Sequence, residues 1–255
     1  MSSTGLGIDG ATGGWVVMRI ELKGDAWIPK VGFSQTIEDI YRRWSGRDAL
    51  TLIDIPIGLP TREAGRRCDT EARRLLGRPR GSSVFAPPVR GAFDTRARGA
   101  DYRETSEANF RRVGKRITKQ SWNIMEKISE VDSLLRSGMS PTAGQDIREA
   151  HPELLFWALN DKKACQGNKK GEEGRAERLE ILERHCTGIR TRLQESLADR
   201  RRIATGPKPP APDDIIDAAV CAVVAARYAS LLVSLPAEPP RDTYGLPMEI
   251  VYPAL

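Results

Sequence analysis

The chain has 255 residues, enough for one large or two small domains and for a core that needs no staple. Its 40 Lys and Arg stand against 34 Asp and Glu, a formal charge of +6, and 40% of its residues are hydrophobic, which is a globular composition rather than that of a disordered tail. No run approaches the roughly 18 apolar residues of a membrane span, the opening Met1-Ser2-Ser3-Thr4 lacks a signal peptide's basic and apolar regions, and the spacing of Cys68, Cys165, Cys186, Cys221, His151 and His185 fits neither a zinc site nor a disulfide framework.

These features point to a cytoplasmic protein without a membrane partner. The basic excess permits nucleic acid as a partner without demonstrating one.

Gly5–Asp9, Trp15–Ile20 and Trp27–Phe33 read as three strands, the last marked as an edge by Pro29. The turns between them, Gly10-Ala11-Thr12-Gly13-Gly14 and Lys23-Gly24-Asp25, are short, so the three form an antiparallel meander. Thr36 caps a helix over Ile37–Trp44, with Ile37, Ile40, Tyr41 and Trp44 on one face. Leu50–Ile55 is then an apolar run of the buried-strand kind, ended by Pro56 and Gly58. The order is βββαβ.

Beyond it, Arg62–Leu76 reads as a basic amphipathic helix and Gly77–Gly99 as a long loop rich in Arg, Gly and Pro. Tyr102–Val113 and Trp122–Leu135 have helical periodicity, with a stop at Gly138. Ile147–Ala150 reads as a strand, and Pro152 starts a helix over Glu153–Asn160. Lys162–Arg175 is polar, basic and rich in glycine, the composition of a mobile segment, and Arg175–Arg202 is helical with a break at Gly188. Pro207–Pro212 is a stiff linker. In Ile215–Ala226 the only charge is Asp217, so that helix is expected to be buried almost all round. The expectation is one α/β domain over 1–255 with a mixed sheet and a helical, Arg-rich insertion over 60–140.

Gly5-Leu6-Gly7-Ile8-Asp9-Gly10 spells the dinucleotide fingerprint, but a strand rather than a helix follows it, so the context refuses that reading. Asp9 ends an apolar strand, where a turn aspartate accepting backbone N–H bonds is the bland reading. Asp54 sits inside an apolar strand, where an ionised carboxylate is costly unless paired or metal-bound. In a βββαβ sheet the two are neighbours. Asp213 and Asp214 suit a helix start, whereas Asp217, one turn beyond Asp214, enters a helix that should be buried. Converging carboxylates repel, and Mg²⁺ or Mn²⁺ relieves them through oxygen ligation. Glu149 and Glu153 flank His151 at a strand-to-helix junction and either join this site or serve only the junction. Arg62, Arg66, Arg67, Arg73, Arg74, Arg78, Arg80 and Arg90 crowd one stretch that holds no lysine. Such a run is either a solvated face or a phosphate-binding surface, to which Ser82, Ser83 and Phe85 add hydrogen bonds and a stacking ring.

Gly7-Ile8-Asp9-Gly10 with Gly13-Gly14-Trp15-Val16, Asp54-Ile55-Pro56-Ile57-Gly58, Arg67-Cys68-Asp69, Ser82-Ser83-Val84-Phe85, Gln120-Ser121-Trp122-Asn123-Ile124, Glu149-Ala150-His151-Pro152-Glu153 and Asp213-Asp214-Ile215-Ile216-Asp217-Ala218 follow in order. Together they resemble the domain-of-unknown-function family 429, which is predicted to share a ribonuclease H-like fold with the RuvC resolvases. The resemblance implies metal ligands at Asp9, Asp54, Asp214 and Asp217, although RuvC-like enzymes commonly carry Glu where Asp54 stands. It implies a Mg²⁺- or Mn²⁺-dependent phosphodiesterase acting on DNA or RNA. Glu149, in a segment with no RuvC counterpart, is expected to assist proton transfer or ligand orientation. Arg67, Arg73, Arg78, Ser82, Ser83, Arg90 and His151 would hold substrate. A binding module without turnover on the same fold, and a nucleotide-binding protein like the sugar kinases and actin-like ATPases, are the alternatives. The sequence leaves a homodimer undecided.

Overall fold

The computed structural model of the protein describes residues 4–23, 26–44, 49–62, 65–137, 147–204 and 208–255. Its backbone starts as the meander the glycine-bounded runs call for: β1 (Thr4–Ala11), β2 (Gly14–Lys23) and β3 (Ala26–Ser34) are antiparallel neighbours. After α1 (Ile37–Trp44), β4 (Leu50–Ile53) returns parallel to β1, and β5 (Ile147–Glu149) lies parallel to β4. The five-stranded sheet therefore has the order β3-β2-β1-β4-β5, and the chain follows the expected βββαβ order. The expected turn at Gly24-Asp25, the stop at Gly138 and the linker's first residue, Pro207, lie outside the described residues.

The chain divides into two compact units. The first comprises Met1–Ile55, Ser140–Val233 and Val251–Leu255, and the second Pro56–Met139 with Ser234–Ile250. The first unit holds the sheet. The second takes in most of the expected insertion and adds 234–250, a segment to which periodicity assigns no element.

The second unit contains α2 (Arg67–Arg80), α3 (Arg90–Ala97), α4 (Tyr102–Val113) and α5 (Lys119–Arg136). The expected helix start at Arg62 moves to Arg67 because Arg66 acts as an N-cap: its backbone N–H donates to Asp69 and its guanidinium pairs with the same carboxylate at 2.6 Å. Gly77, at φ +55°, ends the helical run before Arg78. The expected loop Gly77–Gly99 holds a 3₁₀ turn at Gly81–Ser83 and all of α3. Arg, Gly and Pro there look like loop composition, yet α3 is seated by Arg90, whose guanidinium bonds to Asp132 at 2.9 and 3.0 Å and also to Asp242. Asp101 caps α4 through the Glu104 N–H at 2.9 Å.

The first unit continues with α6 (Pro152–Leu159), α7 (Glu172–His185), α8 (Ile189–Ala198), α9 (Arg200–Ile203) and α10 (Pro212–Arg227). The expected break at Gly188 falls between α7 and α8, where Gly188 has a φ of +84°. Two short strands, β6 (Leu232–Leu235) and β7 (Ile250–Pro253), pair separately from the main sheet. Ile215–Ala226 is buried throughout, as its composition demands. The glycines of the fingerprint explain how α10 sits. A Cβ on Gly7 would stand 1.9 Å from the Ala218 carbonyl oxygen, and one on Gly5 would stand 2.2 Å from the Ala226 nitrogen. Glycine is present so that a helix backbone can touch a strand backbone. Nucleotide binding is not the reason.

Candidate functional site

The sheet register delivers the two strand acids. Gly5–Ile8 pair in parallel with Leu50–Ile53, so Asp9 and Asp54 are the next residues on adjacent strands, and the Asp54 N–H donates to the Ile8 carbonyl at 3.0 Å. Strand alternation puts Asp9 on the same face as Gly5 and Gly7, which is the face α10 covers. The first turns of α10 carry Asp213, Asp214 and Asp217 to that face. Asp214 accepts from the Ala211 N–H at 2.9 Å, and Asp217 is 2% exposed. Asp9 accepts from the Gly10 N–H at 2.7 Å. The Asp54 carboxylate has no hydrogen-bond partner among the described residues.

A lysine stands among these acids. Lys169 Nζ donates to Asp217 Oδ2 at 2.7 Å and lies 3.9 Å from Asp213 Oδ2. It comes from the polar segment whose composition suggested mobility, but that segment is tied down. The Gln166 and Gly167 N–H groups donate to Glu177 at 2.9 and 2.8 Å. Arg178, 1% exposed, donates to the Gly167 and Gly174 carbonyls and pairs with Glu153 at 2.5 Å. Gly167 and Gly174 touch backbone to backbone, since a Cβ on Gly167 would fall 2.5 Å from the Gly174 Cα.

Burial dominates the electrostatics, and the crowding of like charges adds to it. Burial, then Asp54, Asp217 and Asp214, hold the Asp9 carboxyl well above the usual carboxylate range, with Lys169 pulling the other way. Burial also raises Asp54, against His151 and Lys169. Asp217 is pushed up to about 7, chiefly by burial, which Lys169 only partly offsets. Burial would lower the Lys169 ammonium, but Asp217, Asp9 and Asp54 together raise it. Cys221, packed beneath the same acids, is held well above its ordinary range by burial and by Asp54, Asp9 and Asp217.

The donor chemistry of Asp9, Asp54, Asp214 and Asp217 is that of hard oxygen ligands, which suits Mg²⁺ or Mn²⁺. One ammonium among several carboxylates leaves an excess of negative charge, which also suits a divalent cation. As the side chains stand, no three carboxylate, imidazole or thiolate groups among the described residues converge on one point as ligands. The fit is thus one of chemistry and charge.

The family model described as "Protein of unknown function (DUF429)" matches residues 7–241. The chain belongs to that family. No curated protein and no solved structure matches it. In this DUF429 chain the match begins at Gly7, before Asp9, and runs past Asp217, so both strand acids and the α10 acids lie inside it.

The remaining expected site residues divide. His151 is the N-cap of α6, half-buried, and is close enough to influence Asp54. Glu149 is not brought in: it pairs in register with Ile53, and so with Ile8, on the sheet face opposite Asp9. Its expected part in proton transfer at the site is therefore withdrawn. Arg90 is also corrected, being 7% exposed and committed to Asp132 and Asp242 rather than available to substrate. Ser83 donates to the Arg80 carbonyl at 2.7 Å, Ser82 to the Pro79 carbonyl at 3.1 Å and Arg73 Nε to the Val84 carbonyl at 2.8 Å. Those bonds shape the turn. Arg67 reaches Glu71 at 3.4 Å, while Arg78 is exposed. His185 is structural, bonded to Tyr228 and to the Leu159 carbonyl. Residue reasoning missed Lys169 and Arg178. The available signal was a lysine pair beside glycines upstream of the α10 acids, and it looks like any solvated basic stretch.

Proposed function

We propose that the chain is a metal-dependent phosphodiesterase with a ribonuclease H-like core, acting on DNA or RNA. The observation that carries this reading is the gathering of Asp9, Asp54, Asp214 and Asp217 from two strand ends and one helix start into a single repelling cluster. The βββαβ order supports the core assignment. The four buried free cysteines are in keeping with a reducing cytoplasm.

Asp9, Asp54, Asp214 and Asp217 would hold Mg²⁺ or Mn²⁺, which when bound supplies an activated water and charge stabilisation at a phosphate. The chain's own residues prepare the place. The Gly10 N–H orients the Asp9 carboxylate, Lys169 holds Asp217, and His151 stands beside Asp54. Exposed guanidinium groups such as Arg78 offer phosphate contacts.

The test compares melting temperatures with and without Mn²⁺. Wild type should be stabilised by several degrees at saturating ion and Asp9→Asn should not. Nucleic-acid cleavage should be lost in the same variant. Equal shifts in both proteins would sink the assignment. Lys169, by neutralising Asp217 without metal, favours a second reading, a binding module without turnover. Salt-sensitive nucleic-acid binding in EDTA with no cleavage in Mn²⁺ would establish it.

A further inference from the structure

The Lys169 ammonium acts on Asp217, Asp9 and Asp54, but among these it is hydrogen-bonded to Asp217 alone. At the helix end, Asp217 and Asp213 share the Lys169 ammonium, at 2.7 and 3.9 Å. At the strand end, Asp9 accepts the Gly10 N–H and the Asp54 carboxylate has no hydrogen-bond partner among the described residues. Lys169 is delivered to its place by a loop held from two sides. Glu177 accepts from Gln166 and Gly167 on one side, and the Glu153–Arg178 pair grips the Gly167 carbonyl on the other. The residue that follows, Lys170, gives its carbonyl to Arg175 at 2.7 Å. The backbone that carries Lys169 is thus fixed, and its ammonium reaches Asp217 from a held position.

A second divalent ion bound at Asp217 would stand beside this ammonium, and like charges repel strongly in a partly dehydrated site. We propose that Lys169 takes the place of one of two cations, so that this site holds a single Mg²⁺ or Mn²⁺, at Asp9 and Asp54. The inference rests on the phosphodiesterase reading above and narrows its ligand set to Asp9 and Asp54, with Asp217 held by Lys169 instead of a metal. Toward a phosphate diester, Lys169 then presents a compact ammonium with hydrogen-bond donors where a second Lewis acid would otherwise stand.

The experiment counts bound manganese. The full chain is stripped with EDTA, dialysed against excess Mn²⁺ and assayed for metal per chain by mass spectrometry, alongside Asp9→Asn and Lys169→Met. The expected counts are one ion in wild type, none in Asp9→Asn and two in Lys169→Met. Two ions in wild type would overturn the role of Lys169 and leave the phosphodiesterase reading intact. None in wild type would overturn both. A single ion in a folded Lys169→Met would show that the ammonium excludes nothing. Because that variant can fail to fold, wild type carries a second measurement: acetylation of Lys169 by an amine-reactive ester, relative to exposed Lys170, with and without Mn²⁺. An unchanged ratio is expected. A several-fold rise in Lys169 labelling with Mn²⁺ would mean that the ion displaces it, which also overturns the inference.

Discussion

Asp217 is caught between influences of opposite sign. Lys169 at 2.7 Å favours its ionised form, yet burial and the neighbouring Asp54 win, and its carboxyl is pushed up to about 7. Removing the charge while keeping the shape should therefore relieve the metal-free protein. In EDTA at pH 8, Asp217→Asn should melt at or above wild type, because Lys169 retains Asp9 and Asp54 as neighbours. If the ion pair were instead what holds this region together, the loss would be on the order of 3–5 kcal/mol. Asp242 lies at the other extreme. Burial acts to raise its carboxyl, but the Leu59 and Tyr244 N–H groups, Arg90 and the Leu246 N–H overcome this and hold it below its ordinary value. A carboxylate depressed by folding stabilises the protein above its unfolded pKa of about 3.9, and that contribution disappears as pH falls through the lower folded value. Asp242→Asn should then melt below wild type at pH 7, with the gap closing progressively below pH 4 in a series of thermal melts.

At the level of elements, the contact of α10 with β1 is the most demanding piece of packing. At Gly7 an added methyl would meet backbone atoms of Ala218 and Ala222, which cannot rotate away. Gly7→Ala should destabilise by about 3 kcal/mol or more, the upper part of the usual overpacking range. A urea titration that finds less than about 1 kcal/mol would show that the helix can retreat. Elements with local signals were legible. Ile37–Trp44 and Tyr102–Val113 coincide with α1 and α4, because capping and periodicity act within one or two turns. The hidden helix α3 was not legible, because Arg90 is anchored by Asp132 and Asp242, residues far along the chain that no window contains. The same limit applies to the site. Asp9, Asp54 and Asp217 announce themselves as charges in apolar surroundings. Lys169 lies in polar surroundings, and only the tertiary hold of Arg178 on its loop gives it a role.

For the whole molecule, the charge of +6 has to be divided between arginines that are used internally and those that are not. Arg90 and Arg66 are buried in ion pairs, whereas Arg78 is exposed. If nucleic acid is the partner, Arg78→Ala should lower the slope of log affinity against log salt by about one unit. Arg90→Ala should instead lower the melting temperature. An unchanged slope in Arg78→Ala would return that arginine to the solvated surface. Among the described residues no helix is long and apolar enough to cross a membrane.

The seat of α10 on Gly5 and Gly7 also bears on how the protein comes into being. A ribosome delivers β1 almost at once and α10 about 200 residues later, roughly 10–40 s at ordinary rates of synthesis. During that interval the meander lacks the helix that covers its glycine face, and such uncovered apolar strands are what chaperones bind. The α10 aspartates are apart from Asp9 and Asp54 for as long. The growing chain therefore acquires its concentrated negative charge late, when the arrival of one helix closes the core and gathers the acids in the same event.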